Sequence, residues 1–392
     1  GDLLGCLQMK IKWAFFAILA ISFLLVVTST IRAVNTADID RVLTKGVLND
    51  QDYKIIDEFL AEAVQELVRT RDLATIAKRR TVILSRKGSQ GQYAQRYSEA
   101  AYKYIQAGFQ EAQSLPEERK TNVTINLLIL IDGMEDPRLN DLAIGKLKDQ
   151  NMVVRYWAVS ALTNPAILAG LNENISTNPG PARNIAERFK EVVETSNAET
   201  LSRMTRFVAN MDIPQSEELL LQIADERIKR YADWTVKYEL YDIGILKLLE
   251  SRIPLPSSSL GGLTATTASL KPEVARRFAQ LYSHVVQRYI KGRNAGILNN
   301  TQMGHLVSVL VEIEEKCMSR LLGQQQGGIR RAIERDSMAA VLEEHNRLLG
   351  DETTPGQLPA KLRFDYGAAA DGTNRTVPIP LPDPPQKPVA EN

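Results

Sequence analysis

The stretch from Asp136 to Thr163, DPRLNDLAIGKLKDQNMVVRYWAVSALT, decides how this chain folds. Asp136 and Pro137 open a first helix, proline being at home in a first turn whose N–H groups have no partner. That helix carries Leu139, Leu142, Ala143 and Leu147. After Lys148, Asp149 and Gln150, Asn151 caps a second helix with its short side-chain amide. Val154, Ala158, Ala161 and Leu162 then stand at offsets 0, 4, 7 and 8, which is one continuous helical face. The small alanines on that face let two helices approach closely. Arg155 sits beside the core valine, where its side chain can reach back to the preceding turn.

An amide or acidic cap, then Val-Arg, then Ala, then Ala-Leu resembles the second helix of a HEAT repeat. The resemblance covers 136–163, with Asn151, Val154, Arg155, Ala158, Ala161 and Leu162 as the repeat's structural positions. Asn151 stands where the family usually has Asp, and bulky Tyr156 and Trp157 follow the arginine where small or polar residues are common. The resemblance implies an irregular HEAT-like solenoid of helical hairpins. One such hairpin cannot bury its face alone, so its neighbours should be degenerate repeats.

Outward from this stretch the 3.6-residue period continues from Thr36 to Gly350, without alternating β-branched runs. The expected fold class is therefore all-α. A long helical hairpin fills residues 34–115: one stretch from Asp50 to Arg86, a turn at Lys87 to Gly91, and a second stretch from Gln92 to Gln113. HEAT-like repeats fill 116–252. Residues 253–271, rich in Pro, Ser, Gly and Thr, read as a flexible loop or linker. Residues 272–350 read as a three-helix unit, 272–291, 299–322 and 328–349. The segment 351–392 holds eight of the 17 prolines and is expected to be a disordered, extended tail. It would dock a partner groove, tether the body or serve as a spacer.

At the N-terminus, Gly1 to Gln8 precede the first methionine, Met9, and read as lying upstream of the start. Lys10 and Lys12 then lead into an uncharged, mostly apolar run from Trp13 to Ile31, followed by Arg32 and Ala33, the layout of a secretory signal peptide within residues 1–33. The dense part, Trp13 to Val27, is about 22 Å long as a helix, short of the roughly 30 Å hydrocarbon core. Cleavage after Ala33 is expected, with a single-pass N-terminal membrane anchor as the alternative. The address is then the periplasm or cell envelope.

With 48 Lys plus Arg against 47 Asp plus Glu, the net charge of +1 gives no bulk attraction to nucleic acid. Two cysteines and three histidines exclude a disulfide framework and a zinc site built from Cys and His. Cys317 repeats with Val309 and Ile313 on one face and is expected to be buried. Neither a P-loop nor a dinucleotide fingerprint is present, so no cofactor or metal is expected. Lys78, Arg79, Arg80, Arg86 and Lys87 form a candidate contact for an anionic surface, set against a mixed, solvated face that includes Glu58, Glu62, Glu66 and Asp72. Tyr93, Tyr97, Tyr102, Tyr104 and Phe109 read as core rather than as a sugar platform. His345, beside Glu343 and Glu344, reads as solvated helix surface.

No catalytic residue stands out. The expected function is an exported, non-catalytic scaffold that binds protein partners, with membrane contact only through an uncleaved N-terminus and homo-oligomerisation left open. Two alternatives stand: an envelope enzyme acting on polysaccharide or peptidoglycan through paired carboxylates, and a self-assembling structural component of the envelope.

Overall fold

A computed structural model describes residues 36–89, 91–254, 272–369 and 372–385. Residues 1–33, expected to be a signal peptide, and nearly all of 253–271, expected to be a loop or linker, lie outside the described residues. The architecture is all-α: among the described residues there is no strand beyond two isolated bridges, Gly350 with Pro355 and Ala368 with Asn374. No described helix is long and apolar enough to cross a membrane. The chain divides into two compact units, residues 1–104 and 105–392.

The first unit holds α1 (Ala37–Leu43), α2 (Asp50–Arg69), α3 (Leu73–Leu84) and α4 (Gly91–Ala112) up to Tyr104. Asn49 and Asp52 form a reciprocal capping box that starts α2. The long helix expected from Asp50 to Arg86 is two helices. Thr70 leaves the helical conformation, and Asp72 caps α3 by accepting from the Thr75 N–H, so local side-chain bonding stops one helix and starts the next. Ile56, Phe59, Leu60, Leu67, Ile76, Ile83 and Tyr97 are buried. The Tyr97 hydroxyl is paid off in this interior by donating to the Ile83 carbonyl at 2.7 Å.

The second unit runs through α5 (Glu117–Met134), α6 (Asn140–Ile144), α7 (Met152–Leu162), α8 (Pro165–Glu173), α9 (Gly180–Lys190), α10 (Ala198–Asn210), α11 (Pro214–Ala232) and α12 (Asp242–Ser251). It continues with α13 (Pro272–Asn294), α14 (Asn300–Glu312), a π-helical turn (Ile313–Met318), α15 (Ser319–Leu322), α16 (Gly328–Glu334), α17 (Met338–Leu349) and α18 (Gln357–Leu362). α7 packs against α5, α6 and α10. α13 packs against α11, α12, α14 and α17, at the centre of the C-terminal helices. Cys317 is buried in the π-helical turn, and burial pushes its thiol up to about 11, so it is not a reactive thiolate at neutral pH.

Two expectations need correction here. The helix expected over 328–349 breaks at Asp336, which takes a left-handed backbone (φ 56°), after which Ser337 caps α17 by accepting from the Ala340 N–H. The tail, expected to be disordered from Asp351, is seated on the helical body as far as Pro385. Gly350 makes the turn with φ 106°, where a Cβ would meet the Thr376 carbonyl at 2.8 Å. After α18, Phe364 and Tyr366 are buried, and the Tyr366 hydroxyl donates to the Leu349 carbonyl. The chain then reverses at the Ala368–Asn374 bridge and lays residues 376–385 along α13. Polyproline backbone makes no hydrogen bonds with itself, and α13 supplies partners for it.

Candidate functional site

Gln280, His284, Gln287 and Lys291 lie on one face of α13, spaced by four, three and four residues. Each bonds the backbone of the tail. The Gln280 amide pairs with both sides of Ile379, donating to its carbonyl at 2.9 Å and accepting from its N–H at 2.8 Å. Gln287 accepts from the Leu381 N–H at 2.7 Å, and Lys291 donates to the Leu381 carbonyl at 2.7 Å and to Asp383 at 2.8 Å. This contact holds the Asp383 carboxyl below the usual range. At the far edge the Trp234 indole donates to the Pro382 carbonyl at 3.1 Å. Leu381 and Pro378 are buried, whereas Ile379 and Pro382 are exposed.

His284 is buried, with Nε2 3.1 Å from the Ile379 carbonyl and Nδ1 3.2 Å from the Ile228 carbonyl. Burial lowers its pKa, and the two carbonyl contacts only partly oppose this. Trp234 is positioned by a loop that takes left-handed backbone at Trp234 and Tyr238. Arg288 of α13 lies over the Trp234 ring at 5.2 Å, its guanidinium 3.5 Å from the buried Glu239. Beneath, Arg227 donates two bonds to Asp242, at 2.6 and 2.8 Å, and the Tyr231 hydroxyl donates to the same carboxylate at 2.6 Å. Burial alone would lower the Arg227 pKa, but the Asp242 charge overrides it and holds the guanidinium above its ordinary value. This buried group fixes α11 to the start of α12.

Between α13, α17 and the tail lies a cavity of about 520 Å3, lined by residues that include Gln287, Lys291, His345, Asn346, Asp351, Arg375, Pro378 and Pro380. His345 is a correction to the sequence reading: it is buried, not solvated. Its Nε2 is 2.9 Å from the Ser283 hydroxyl and its Nδ1 2.9 Å from the Asn346 side chain. Helix periodicity turns His345 inward with Val341 and Leu348, while Glu343, two residues before it, faces solvent. The chain Ser283, His345, Asn346 has the order of a nucleophile, base and orienting group. Ser283 is fully buried in mid-helix and accepts a further bond from Gln287 at 2.8 Å, so it is no open nucleophile.

Asp351, on the cavity wall, accepts from the side chains and backbone N–H groups of Thr353 and Thr354, which hold its carboxyl down to about 2. Burial raises the carboxyl pKa values of Glu66 and Glu314, and neither lines the cavity. Among the described residues no three His, Cys, Asp or Glu side chains converge in a way that could hold a metal ion.

Asn151, Val154, Arg155, Ala158, Ala161 and Leu162 lie at the start and along the length of α7. The Asn151 side chain accepts from the Val153 N–H at 2.9 Å, and Val154, Ala158, Ala161 and Leu162 are buried. Arg155 reaches back to the Asp149 and Gln150 carbonyls at 2.7 and 3.1 Å, and also forward to the Thr195 carbonyl at 2.8 Å. The basic group is not one open surface. Arg79 is buried against Glu66, and Arg86 is held by both oxygens of Asp40; Lys78 alone of the five is exposed. Arg80 is half-buried, which lowers its pKa, and Lys87 is half-buried and engaged. Tyr93, Tyr97 and Phe109 are buried, and Tyr102 and Tyr104 half-buried.

The α13 face lies beside an apolar stripe, Val274, Phe278, Leu281, Val285 and Tyr289, which by itself marks only a core-facing helix. The available signal was the polar set at 280, 284, 287 and 291 beside it, together with prolines at alternate tail positions 378, 380 and 382.

No protein-family model matches the chain, and no curated protein sequence matches it. A solved crystal structure of an engineered protein aligns over 83% of this chain and 97% of its own, at 11% identity and a TM-score of 0.17, too low to carry an argument about fold.

Proposed function

We propose that this chain is an exported, non-catalytic scaffold of the cell envelope, built from HEAT-like helical hairpins, whose work is to hold other proteins. The observation that carries the reading is the seating of residues 376–385 on α13, where side chains bind an extended segment mainly through its backbone. A helical body that holds one extended segment in this way has the chemistry to hold others. At this cavity the Asp351 carboxylate also favours binding over glycan hydrolysis. A glycosidase acid needs its pKa raised within a cleft, whereas Asp351 on the cavity wall is held down to about 2.

Cross-linking mass spectrometry on intact cells and isolated envelopes tests address and role together. A mature chain starting at Val34, with one recurrent protein neighbour on residues 116–350, is the expected result. An intact N-terminus with no protein neighbour would overturn the scaffold and direct attention to a membrane-anchored, glycan-directed enzyme. Light scattering of the mature chain that grows with concentration would instead favour a self-assembling component.

A further inference from the structure

We propose that the α13 groove is a docking site for a proline-rich, extended segment of a partner protein, and that Thr376–Pro385 is its resident competitor. The proposal rests on the protein-binding reading above and names the partner's chemistry. The groove reads alternate residues. Ile379 gives its N–H and carbonyl to Gln280, and Leu381 gives its N–H to Gln287 and its carbonyl to Lys291. Pro378, Pro380 and Pro382 occupy the positions between, where a missing N–H forfeits no bond to the groove. Their rings also hold the backbone extended before it binds, which reduces the entropy lost on docking.

These bonds go to backbone atoms, which a foreign chain with the same proline spacing presents equally. Two side chains add selectivity. Leu381 is 1% exposed and calls for an apolar residue, and Asp383, 90% exposed but paired with Lys291, adds a weaker preference for an acid. Ile379 is 46% exposed, so its position is permissive. The recognised pattern is Pro, any residue, Pro, apolar residue, Pro, acid. The resident segment's advantage is its tether, which gives it an effective concentration in the millimolar range. Weakening the resident should therefore expose the site to a peptide in trans.

The test uses the full chain carrying Leu381→Asp and Asp383→Lys, which place a charge in the apolar position and a like charge against Lys291. A fluorescein-labelled peptide with the sequence of Asn374 to Pro385 is titrated by fluorescence polarisation. Binding to this variant about 100-fold tighter than to the native chain is expected, with about a 10-fold loss on adding Gln280→Ala and Gln287→Ala. A folded variant that ignores the peptide, or that binds a Gly-Ser peptide of equal length as well, overturns the proposal. Should the variant lose its helical circular dichroism, the native chain decides. Millimolar peptide should speed hydrogen exchange at the Ile379 and Leu381 amides, and unchanged exchange overturns the proposal. So does a dimer that forms by trading tails between copies and excludes the peptide. Failure here beside a partner cross-linked elsewhere leaves the scaffold reading standing, whereas failure with no cross-linked partner removes both.

Discussion

α7 and α13 both bury their faces in the second unit, yet they are buried against different things. α7 presents Val154, Ala158, Ala161 and Leu162 to its neighbours, and a single arginine ties its start to nearby carbonyls. Its partners are other helices, whose backbones already satisfy themselves, so small apolar side chains and close approach suffice. α13 buries Gln280, Ser283, His284 and Arg288 among its apolar residues. Buried amides and imidazoles need partners, and helices offer few free ones. Extended proline-rich backbone offers many, because it makes no bonds with itself. A polar face inside a long amphipathic helix is thus compatible with extended chain lying beside the neighbouring helices: Gln280 and His284 meet Ile379 of the tail, while Ser283 meets His345 of α17.

The largest expected effect lies on the α13 side. Asp242→Ala leaves the Arg227 guanidinium, 1% exposed, without its carboxylate and removes the acceptor of the Tyr231 hydroxyl. Breaking a buried pair from one side costs about 3 to 5 kcal/mol, to be read as a lower urea midpoint of unfolding. A loss below 1 kcal/mol would show that water reaches the site and would weaken the contrast between an ionic and an apolar region. On the α7 side the matching change is Ala158→Leu. It drives three extra carbons into the close approach of α7 to its neighbours and should cost about 1 to 3 kcal/mol by overpacking. A neutral outcome would mean that the helices can separate, contrary to the role assigned to the alanines.

Arg155→Ala removes bonds to three carbonyls, among them Thr195, 40 residues away. The side chain is half-exposed, so about 1 to 2 kcal/mol is expected. Arg155→Lys should recover only part of this, since an ammonium cannot span both sites as the planar fork does. Full recovery by lysine would reduce the contact to a charge effect.

The two regions also differ in how readily their sequence discloses them. In α7 everything needed is local: the cap, the face and the arginine fall within 12 residues, at spacings that a helix converts directly into geometry. Even there the sequence showed Arg155 reaching backward and not its forward bond to Thr195, which requires knowing which loop packs alongside. The α13 groove pairs residue 280 with 379 and residue 291 with 383, separations of about a hundred residues that no periodicity encodes. The proline content indicated that residues 376–385 would form no helix, but not that they would meet α13. His345 was misread because the two glutamates before it were weighed more heavily than its spacing from Val341 and Leu348. The breaks at Thr70 and Asp336 were hidden because apolar spacing continues across them, while a single residue's backbone decides the interruption.

A smaller and more local effect is expected from Gln280→Ala, which removes both bonds to Ile379. About 1 kcal/mol is at stake. It should appear as faster proteolysis within residues 376–385 while the global unfolding midpoint stays nearly constant. If the global midpoint falls as far as for Asp242→Ala, the tail is an integral part of the core, and the contrast between a helix packed on helices and a helix holding a separable strand fails.

The mildest perturbation is pH, and it acts on α13 and α17 while leaving α7, which carries no histidine, untouched. Burial lowers the pKa values of both His284 and His345 in the folded chain, against about 6.5 for the unfolded one. A base whose folded pKa is depressed takes up protons more readily when unfolded, so its contribution to stability is fully present above about pH 6.5 and declines as pH falls toward the folded values. The carboxylates held low by their partners, Asp52, Asp72, Asp351 and Asp383, act only in a separate window, near and below their unfolded value of about 3.9. Glu66 and Glu314, raised by burial, act with the opposite sign on acidification, so the histidine share is read as a difference: between pH 7 and pH 5 the urea midpoint of the native chain should change less favourably than that of His284→Gln with His345→Gln. His284 makes the sign informative. Both of its ring nitrogens face carbonyls, at 3.2 and 3.1 Å, and a neutral ring has only one N–H to give. Protonation would satisfy both carbonyls, including that of Ile379 in the tail, so a native chain whose midpoint instead changed more favourably than the double variant's would show that this pairing outweighs burial. The tail would then be held by an imidazolium, and α13 would bind extended chain by charge as well as by its amides.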